Sequence, residues 1–532
     1  MMKIALFCTQ DDGGAGKASL RLNNGLNLIG EDSTLFVKRK TTDNQQVIQL
    51  QSPEINNAVF EKAVWKYFYT NVYEGNTICS AMYPSVGFDY LEKIHQFDII
   101  NLHWIPSFLS LEAIAEINRL GKPIVWTLHD QNPMTGACHY THGCDKYQTD
   151  CSDCPQLKVN SNNITRTILE TKIKYLPKTL TVVTPSLWLA KCAKESAVFK
   201  KHRIEVIPNS VETDIFWPSK KSDAKISLGL PADAKVILFG AQDLKEKRKG
   251  MAELVKITKL LWENGNINEL VEANKVWALV FGYHSPLLDE LGIPYQALGY
   301  VNEDQKLSLA YSASDVLALP SLEDNLPNLM LESMACGTPV VAFKTGGMAS
   351  TIIDGQNGYL VPLKDLKQFT KRIIDVITGT SMEASSRSFA EQNYRLEIQA
   401  SKYKDLFHEV INGFVYDKYL SISKIFPETA SVMGSYIGEA SVEMQNDLNQ
   451  LFSDREFLGQ ERNRLLQELD QLKCELDQLK YERDSLKQEL QVIYFSRSWK
   501  LVTLLRLGWK IVRKSIKFIL PYAIVRYYQK KR

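Results

Sequence analysis

The stretch 319–341, Leu-Pro-Ser-Leu-Glu-Asp-Asn-Leu-Pro-Asn-Leu-Met-Leu-Glu-Ser-Met-Ala-Cys-Gly-Thr-Pro-Val-Val, leaves few options for the fold. The apolar run 316–319 reads as a buried strand that Pro320 and Ser321 stop. Pro327 suits the first turn of a helix, and Leu329, Met330 and Ala335 supply that helix's apolar face. Gly337 and Pro339 end the helix, and 338–343 reads as the next strand. Such strand–loop–helix–strand units build parallel α/β sheets. Two acids, Asp324 and Glu332, fall near the helix start, beyond the carboxyl end of a strand, where open α/β sheets bind ligands. The start of a helix also favours phosphate.

The rest of the chain repeats this alternation. Strand-like runs at 3–9, 34–37, 98–103, 123–128 and 180–184 form one set, separated by helical stretches. Runs at 236–239, 277–281, 297–300, 316–319 and 338–343 form a second. After the first run come Gly13, Gly14, Ala15, Gly16 and Lys17, followed by an amphipathic helix expected from 20 to about 29. A Gly-rich strand-to-helix turn lets backbone N–H groups approach an anion, and it is equally a plain structural turn. A Walker P-loop is excluded because Ala18 stands where Ser or Thr must follow the lysine. His129 and Asp130 end the run 124–128, so His129 faces the expected cleft. His103 ends an earlier run and reads as a packed or hydrogen-bonded histidine.

Cys138, Cys144, Cys151 and Cys154 fall within 17 residues. Four thiolates at such spacing suit a structural zinc ion; disulfides or simply packed thiols are the alternatives. Lys245, Lys247, Arg248 and Lys249 make a basic cluster near a helix start, which is either a solvated loop or an anion site.

The stretch 319–341 resembles the signature of retaining glycosyltransferases of the GT-B, family 4-like group. Their pattern is an acid, seven residues, a Glu, then a small-residue segment and Gly-Thr-Pro-Val. Asp324 holds the first acid position, usually Glu, and Glu332 the second. Thr127-Leu128-His129-Asp130 is similar to the family's Thr-x-His-Asp, whose histidine lies beside the reacting sugar. The segment 204–216 resembles the family's interdomain crossing, and Gly346-Gly347 its turn near the donor sugar. Residues 126–157 resemble bacterial exopolysaccharide glycosyltransferases of the colanic-acid type. The family holds the donor's phosphates with an Arg and a Lys. Lys249 matches the Lys, whereas the usual Arg position is Ala241, which makes Arg248 the candidate guanidinium.

What the resemblance implies is an α/β, GT-B fold of two facing Rossmann-like domains with an interdomain cleft. The expected layout is an acceptor-side domain over 1–205 with a Cys-rich insertion at 138–154, a nucleotide-sugar domain over 206–380, and a helical return over 381–440. The expected catalytic residues are His129, Asp324 and Glu332. Gly14, Ala15, Gly16, Arg248, Lys249, Asn325, Leu326, Gly346 and Gly347 are expected to hold the donor. The co-substrate is a nucleotide sugar, no catalytic metal is expected, and the acceptor is lipid-linked or a glycan. A nucleotide-sugar epimerase and a non-catalytic scaffold are the rival readings.

Net charge is only +2, but 496–532 carries eleven Lys or Arg and no acid. A basic segment on an acidic body points to an anionic surface. Its Trp and aliphatic residues face cations at helical spacing, the pattern of a helix lying in a membrane interface rather than on nucleic acid. Leu448 through Ile493 repeats apolar residues in steps of three and four, a heptad seam broken by Arg455, Arg462 and Arg483. A coiled-coil homodimer is expected, with a single amphipathic helix as the alternative. No apolar run of about 20 residues is free of charge, so the expected location is cytoplasmic, on the cytoplasmic face of the inner membrane.

Overall fold

The computed structural model describes residues 1–50, 66–82, 91–160, 163–263 and 267–414, together with 468, 471–473, 475–487 and 509. Contacts divide the chain into two units, 1–441 and 442–532.

In the first unit the expected alternation resolves into two parallel sheets. The first takes β1 (Lys3–Gln10), β2 (Asp32–Arg39), β3 (Val47–Gln49), β4 (Ile99–Leu102), β5 (Ile124–Thr127), β6 (Thr181–Thr184) and β7 (Arg203–Val206) in the order β3-β2-β1-β4-β5-β6-β7. The second takes β8 (Lys235–Asp243), β9 (Val276–Tyr283), β10 (Tyr295–Ala297), β11 (Val316–Leu319), β12 (Val340–Phe343) and β13 (Gly358–Val361) in the order β10-β9-β8-β11-β12-β13. Every residue of β4, β5, β6, β11 and β12 is buried. That is the mark of parallel strands covered by helices on both faces. The expected α/β architecture of two parallel-sheet domains is what the chain adopts.

Several boundaries differ from expectation. The first helix, α1, spans Gly13–Leu28 and starts seven residues early. Gly14, Ala15 and Gly16 are therefore its first turn and not a free loop. Gly16 permits this: a Cβ there would lie 2.7 Å from the Gln10 carbonyl oxygen, so the helix turns directly against the end of β1. β8 runs on to Asp243 through an irregularity after Gly240, so Ala241 is a buried strand residue. β3 and β7 went unread because each is a short edge strand with little apolar signal. β10 lies two residues earlier than its apolar run suggested.

Helix α2, Asn328–Ala335, follows β11 as expected, with Pro327 just before it. A long helix, α3, spans Leu396–Asn412 and returns to pack on α1. Gly25 allows that approach, since a Cβ would lie 2.9 Å from the Leu396 carbonyl oxygen. Tyr403 on α3 pairs with Thr127 of β5 at 2.9 Å.

In the second unit, 471–473 and 475–487 are helical. Leu472, Leu476, Leu479 and Leu486 of the expected seam are each more than half exposed. Apart from Glu468, the rest of 448–493, and all of 496–532 except Trp509, lie outside the described residues. No helix of the described residues is long and apolar enough to cross a membrane.

Candidate functional site

The loop between β11 and α2 is shaped by backbone contact with the Gly-Gly turn after β12. A Cβ on Gly346 would lie 1.7 Å from the Asp324 carbonyl oxygen, and one on Gly347 1.9 Å from that of Asn325. Gly346 also sits at φ +56, where glycine is free and other residues are strained. Gly347 N–H donates to the Asn325 carbonyl at 2.6 Å. The two segments fix each other and so fix where Asp324 points.

Asp324 is 5% exposed, yet its carboxylate is fully engaged. Lys249 Nζ stands 2.7 Å from Oδ2. Arg248 Nη1 is 3.3 Å from Oδ1, the Tyr140 hydroxyl donates to Oδ1 at 3.2 Å, and Asn325 N–H donates at 3.0 Å. Burial alone would raise the carboxyl pKa; Lys249 and Arg248 reverse this and hold it below the usual range. Arg248 lies 4.0 Å over the ring of Tyr140 and also pairs with Glu246 at 2.7 Å. The guanidinium sought by sequence therefore does point at the first acid.

Tyr140 comes from the Cys-rich insertion of the first domain. Its neighbours follow it across: His142 N–H donates to Glu323 at 2.9 Å, and Thr141 Oγ1 donates at 3.4 Å. The insertion thus reaches the acidic loop itself, which sequence alone did not show.

His129 meets the same loop, since Asn325 Nδ2 donates to its carbonyl at 3.0 Å and Ser186 Oγ donates to Asn325 Oδ1 at 2.6 Å. Burial pushes the His129 imidazole down to about 4, and the nearby Asp130 only partly opposes this. Asp130 is itself held by His139 at 2.6 Å, Trp104 Nε1 at 3.0 Å and Asn132 N–H at 2.9 Å. Leu326 is buried in the loop just before α2.

Glu332, on α2, sits apart from this group. It accepts from Arg21 Nη2 at 2.9 Å and from the Tyr311 hydroxyl at 2.8 Å. Arg21 projects from α1 of the first domain, is 1% exposed, and makes a second ion pair with Glu212 at 2.6 Å. Burial works against the charge on Arg21, but Glu212 and Glu332 more than restore it. Sequence reading missed Arg21; the available signal was a cation wedged between Leu20 and Leu22 on an apolar face. Near it, Asn328 Nδ2 donates to the Gly14 carbonyl at 2.9 Å, and Lys17 pairs with Asp304. The two acids therefore each meet the first domain, by different partners.

Cys138, Cys144, Cys151 and Cys154 line one cavity, and all are free thiols. Among the described residues no three Cys, His, Asp or Glu side chains are grouped so as to hold a metal ion. The four thiols share a space without forming a coordination shell.

Two family patterns match the chain: Glycosyltransferase Family 4 over residues 77–215 and Glycosyl transferases group 1 over 220–395. The chain is 24% identical over 319 residues to the putative colanic acid biosynthesis glycosyl transferase WcaC of Escherichia coli, covering 55% of this chain and 71% of that one. It is 29% identical over 197 residues to a D-inositol 3-phosphate glycosyltransferase of Mycolicibacterium smegmatis, covering 36% and 43%. The chain thus spans about two fifths of the length of that relative. Among solved structures it is similar to sucrose-phosphate synthase from Thermosynechococcus elongatus, at 19% identity and TM-score 0.53, covering 78% of this chain and all of that one. It is similar too to Anabaena Alr3699/HepE in complex with UDP-glucose, at 16% identity and TM-score 0.53, covering 77% and 100%. These likenesses show the two-domain fold. The chain therefore carries a glycosyltransferase family 4 domain and a group 1 glycosyltransferase domain, in that order, in one GT-B body.

Proposed function

We propose that the chain is a retaining glycosyltransferase that moves a sugar from a nucleotide sugar to a lipid-linked or polysaccharide acceptor in surface polysaccharide assembly. The observation that carries this reading is the convergence on Asp324 of Lys249, Arg248 and Tyr140, beside a loop tied to His129. Two cations gathered at Asp324 suit the charge that develops on a departing diphosphate. Here they neutralise Asp324; with donor bound they would share its phosphates, and Asp324 would turn to the donor sugar. Glu332 would take donor hydroxyls, probed most directly at the ribose. The start of α1 at Gly14–Gly16, with Asn325, Leu326, Gly346 and Gly347, would complete the donor site. His129, which burial keeps neutral, would lie beside the sugar as the glycosidic bond breaks through an oxocarbenium-like state. The UDP-glucose in the Anabaena neighbour supports a nucleoside diphosphate sugar as donor.

The proposal extends to the rest of the chain. The exposed leucines of 472–486 suit a second helix of the same kind, hence a homodimer. The basic segment 496–532 suits an anionic membrane face, where each cation adds about 1 kcal/mol. The four thiols suit zinc if their side chains rotate inward from the cavity wall. The test is incubation of the purified chain with GDP-, UDP- and dTDP-sugars and a glycan or lipid-linked acceptor. Transfer that is lost in Glu332→Ala supports the reading; equal transfer by wild type and variant overturns it. Interconversion of donor sugars without acceptor would instead indicate an epimerase.

A further inference from the structure

His103 follows β4 and His129 follows β5, and these strands pair in parallel register, with Leu102 opposite Trp126. The two imidazoles consequently leave the sheet at nearly one level. Their rings stack with centroids 5.2 Å apart and 24° between planes, and Nδ1 of His103 stands 2.9 Å from Nε2 of His129. That contact is a hydrogen bond only if one nitrogen carries a proton and the other is bare.

The rest of His103 decides which. The residue is 2% exposed, and its Nε2 is buried with no hydrogen-bond partner. A neutral ring has one proton to place. On Nε2 it would be a buried N–H with nothing to receive it, the rarest kind of unsatisfied group in folded proteins. On Nδ1 it meets His129. The tautomer of one ring then sets that of the other: Nε2 of His129 is the acceptor, and the proton of His129 resides on Nδ1. That Nδ1 makes no hydrogen bond within the described residues. The carboxylate next to it in the chain, Asp130, is occupied by His139, Trp104 and Asn132.

We propose that His103 is a positioning residue that locks His129 as its Nδ1–H tautomer, making His129 a hydrogen-bond donor toward an oxygen of the bound sugar and not a proton acceptor. This rests on the reading that places His129 beside the sugar. His103 itself touches no ligand.

The test uses the full chain labelled with 15N-histidine and long-range 1H–15N spectra at neutral pH, which distinguish the two neutral tautomers of a ring. His129 is assigned from its absence in His129→Asn. The expected result is a bare Nε2 and a protonated Nδ1 on His129. In His103→Asn, whose amide N–H takes the place of Nδ1–H, this pattern persists; in His103→Leu it is lost. Transfer kinetics are read beside the spectra. His103→Leu lowers kcat/KM up to about tenfold, the worth of one hydrogen bond, and His103→Asn recovers most of it. An Nε2–H tautomer for His129 in the wild type, or an unchanged pattern in His103→Leu, overturns the proposal. The wild-type spectrum decides even if a variant does not fold. Absence of transfer from any nucleotide sugar overturns the functional reading instead, and leaves the spectra free to decide this one.

Discussion

Arg21→Met removes the buried cation that joins the two domains. Arg21 is 1% exposed and pairs with Glu332 at 2.9 Å and with Glu212 at 2.6 Å. Its guanidinium also lies 5.5 Å over the ring of Phe216. Methionine keeps much of the stem's volume, so the loss is electrostatic. Glu332, 4% exposed, then retains only the Tyr311 hydroxyl. Breaking a buried pair by removing one partner costs about 3–5 kcal/mol, because the charge left behind is uncompensated. Glu212 is better placed to recover solvent, which puts the expected loss near the lower end. Urea titration followed by tryptophan fluorescence measures it. The double variant Arg21→Met/Glu332→Gln removes the stranded charge as well, so its loss is expected to be smaller than the sum of the single losses by at least about 1 kcal/mol. A loss under about 1 kcal/mol for Arg21→Met, or strict additivity in the double variant, refutes the view that this pair joins the domains energetically.

Three further outcomes follow from the same geometry. Gly346→Ala places a Cβ 1.7 Å from the Asp324 carbonyl and strains a φ of +56; the expected loss is about 2–4 kcal/mol with transfer reduced, read by urea titration and initial rates. His129 folds with its pKa lowered to about 4 from 6.5, and burial lowers His103 well below its usual value, so the unfolded chain binds protons first as pH falls. Stability is therefore full above about pH 6.5 and declines toward pH 4, by at most about 3 kcal/mol for His129; a flat urea midpoint across that window contradicts this. Elemental analysis of the purified chain tests the zinc proposal, which needs the four thiols to rearrange: about one zinc, lost in Cys151→Ser, supports it, and four reactive thiols with no metal contradict it.

Much of the fold was legible because fully buried parallel strands leave unbroken apolar runs. Those at 316–319 and 124–128 are of this kind, and Pro and Gly marked the turns around α2. The first acid's surroundings were legible in part, since Lys249 and Arg248 stand in one short cluster. What was not legible depends on distance in sequence. Nothing near Arg21 announces Glu332, 311 residues away. Tyr140 looked like part of a cysteine motif until the fold laid it against Asp324. The early start of α1 was hidden because glycine usually ends helices, and only the close pass of Gly16 over Gln10 explains it. His103 looked like an ordinary packed histidine, and only the register of β4 on β5 sets it against His129.

The claim on which these readings depend is that the cations beside Asp324 receive a nucleoside diphosphate. Calorimetric titration of the full chain with UDP, GDP and dTDP, in wild type and in Lys249→Ala, measures it directly. The account predicts saturable binding of at least one of the three to the wild type and a loss of affinity of about tenfold or more in Lys249→Ala, the worth of a charge-assisted contact. Equal affinity in both proteins, or no binding of any of the three to the wild type, would contradict it.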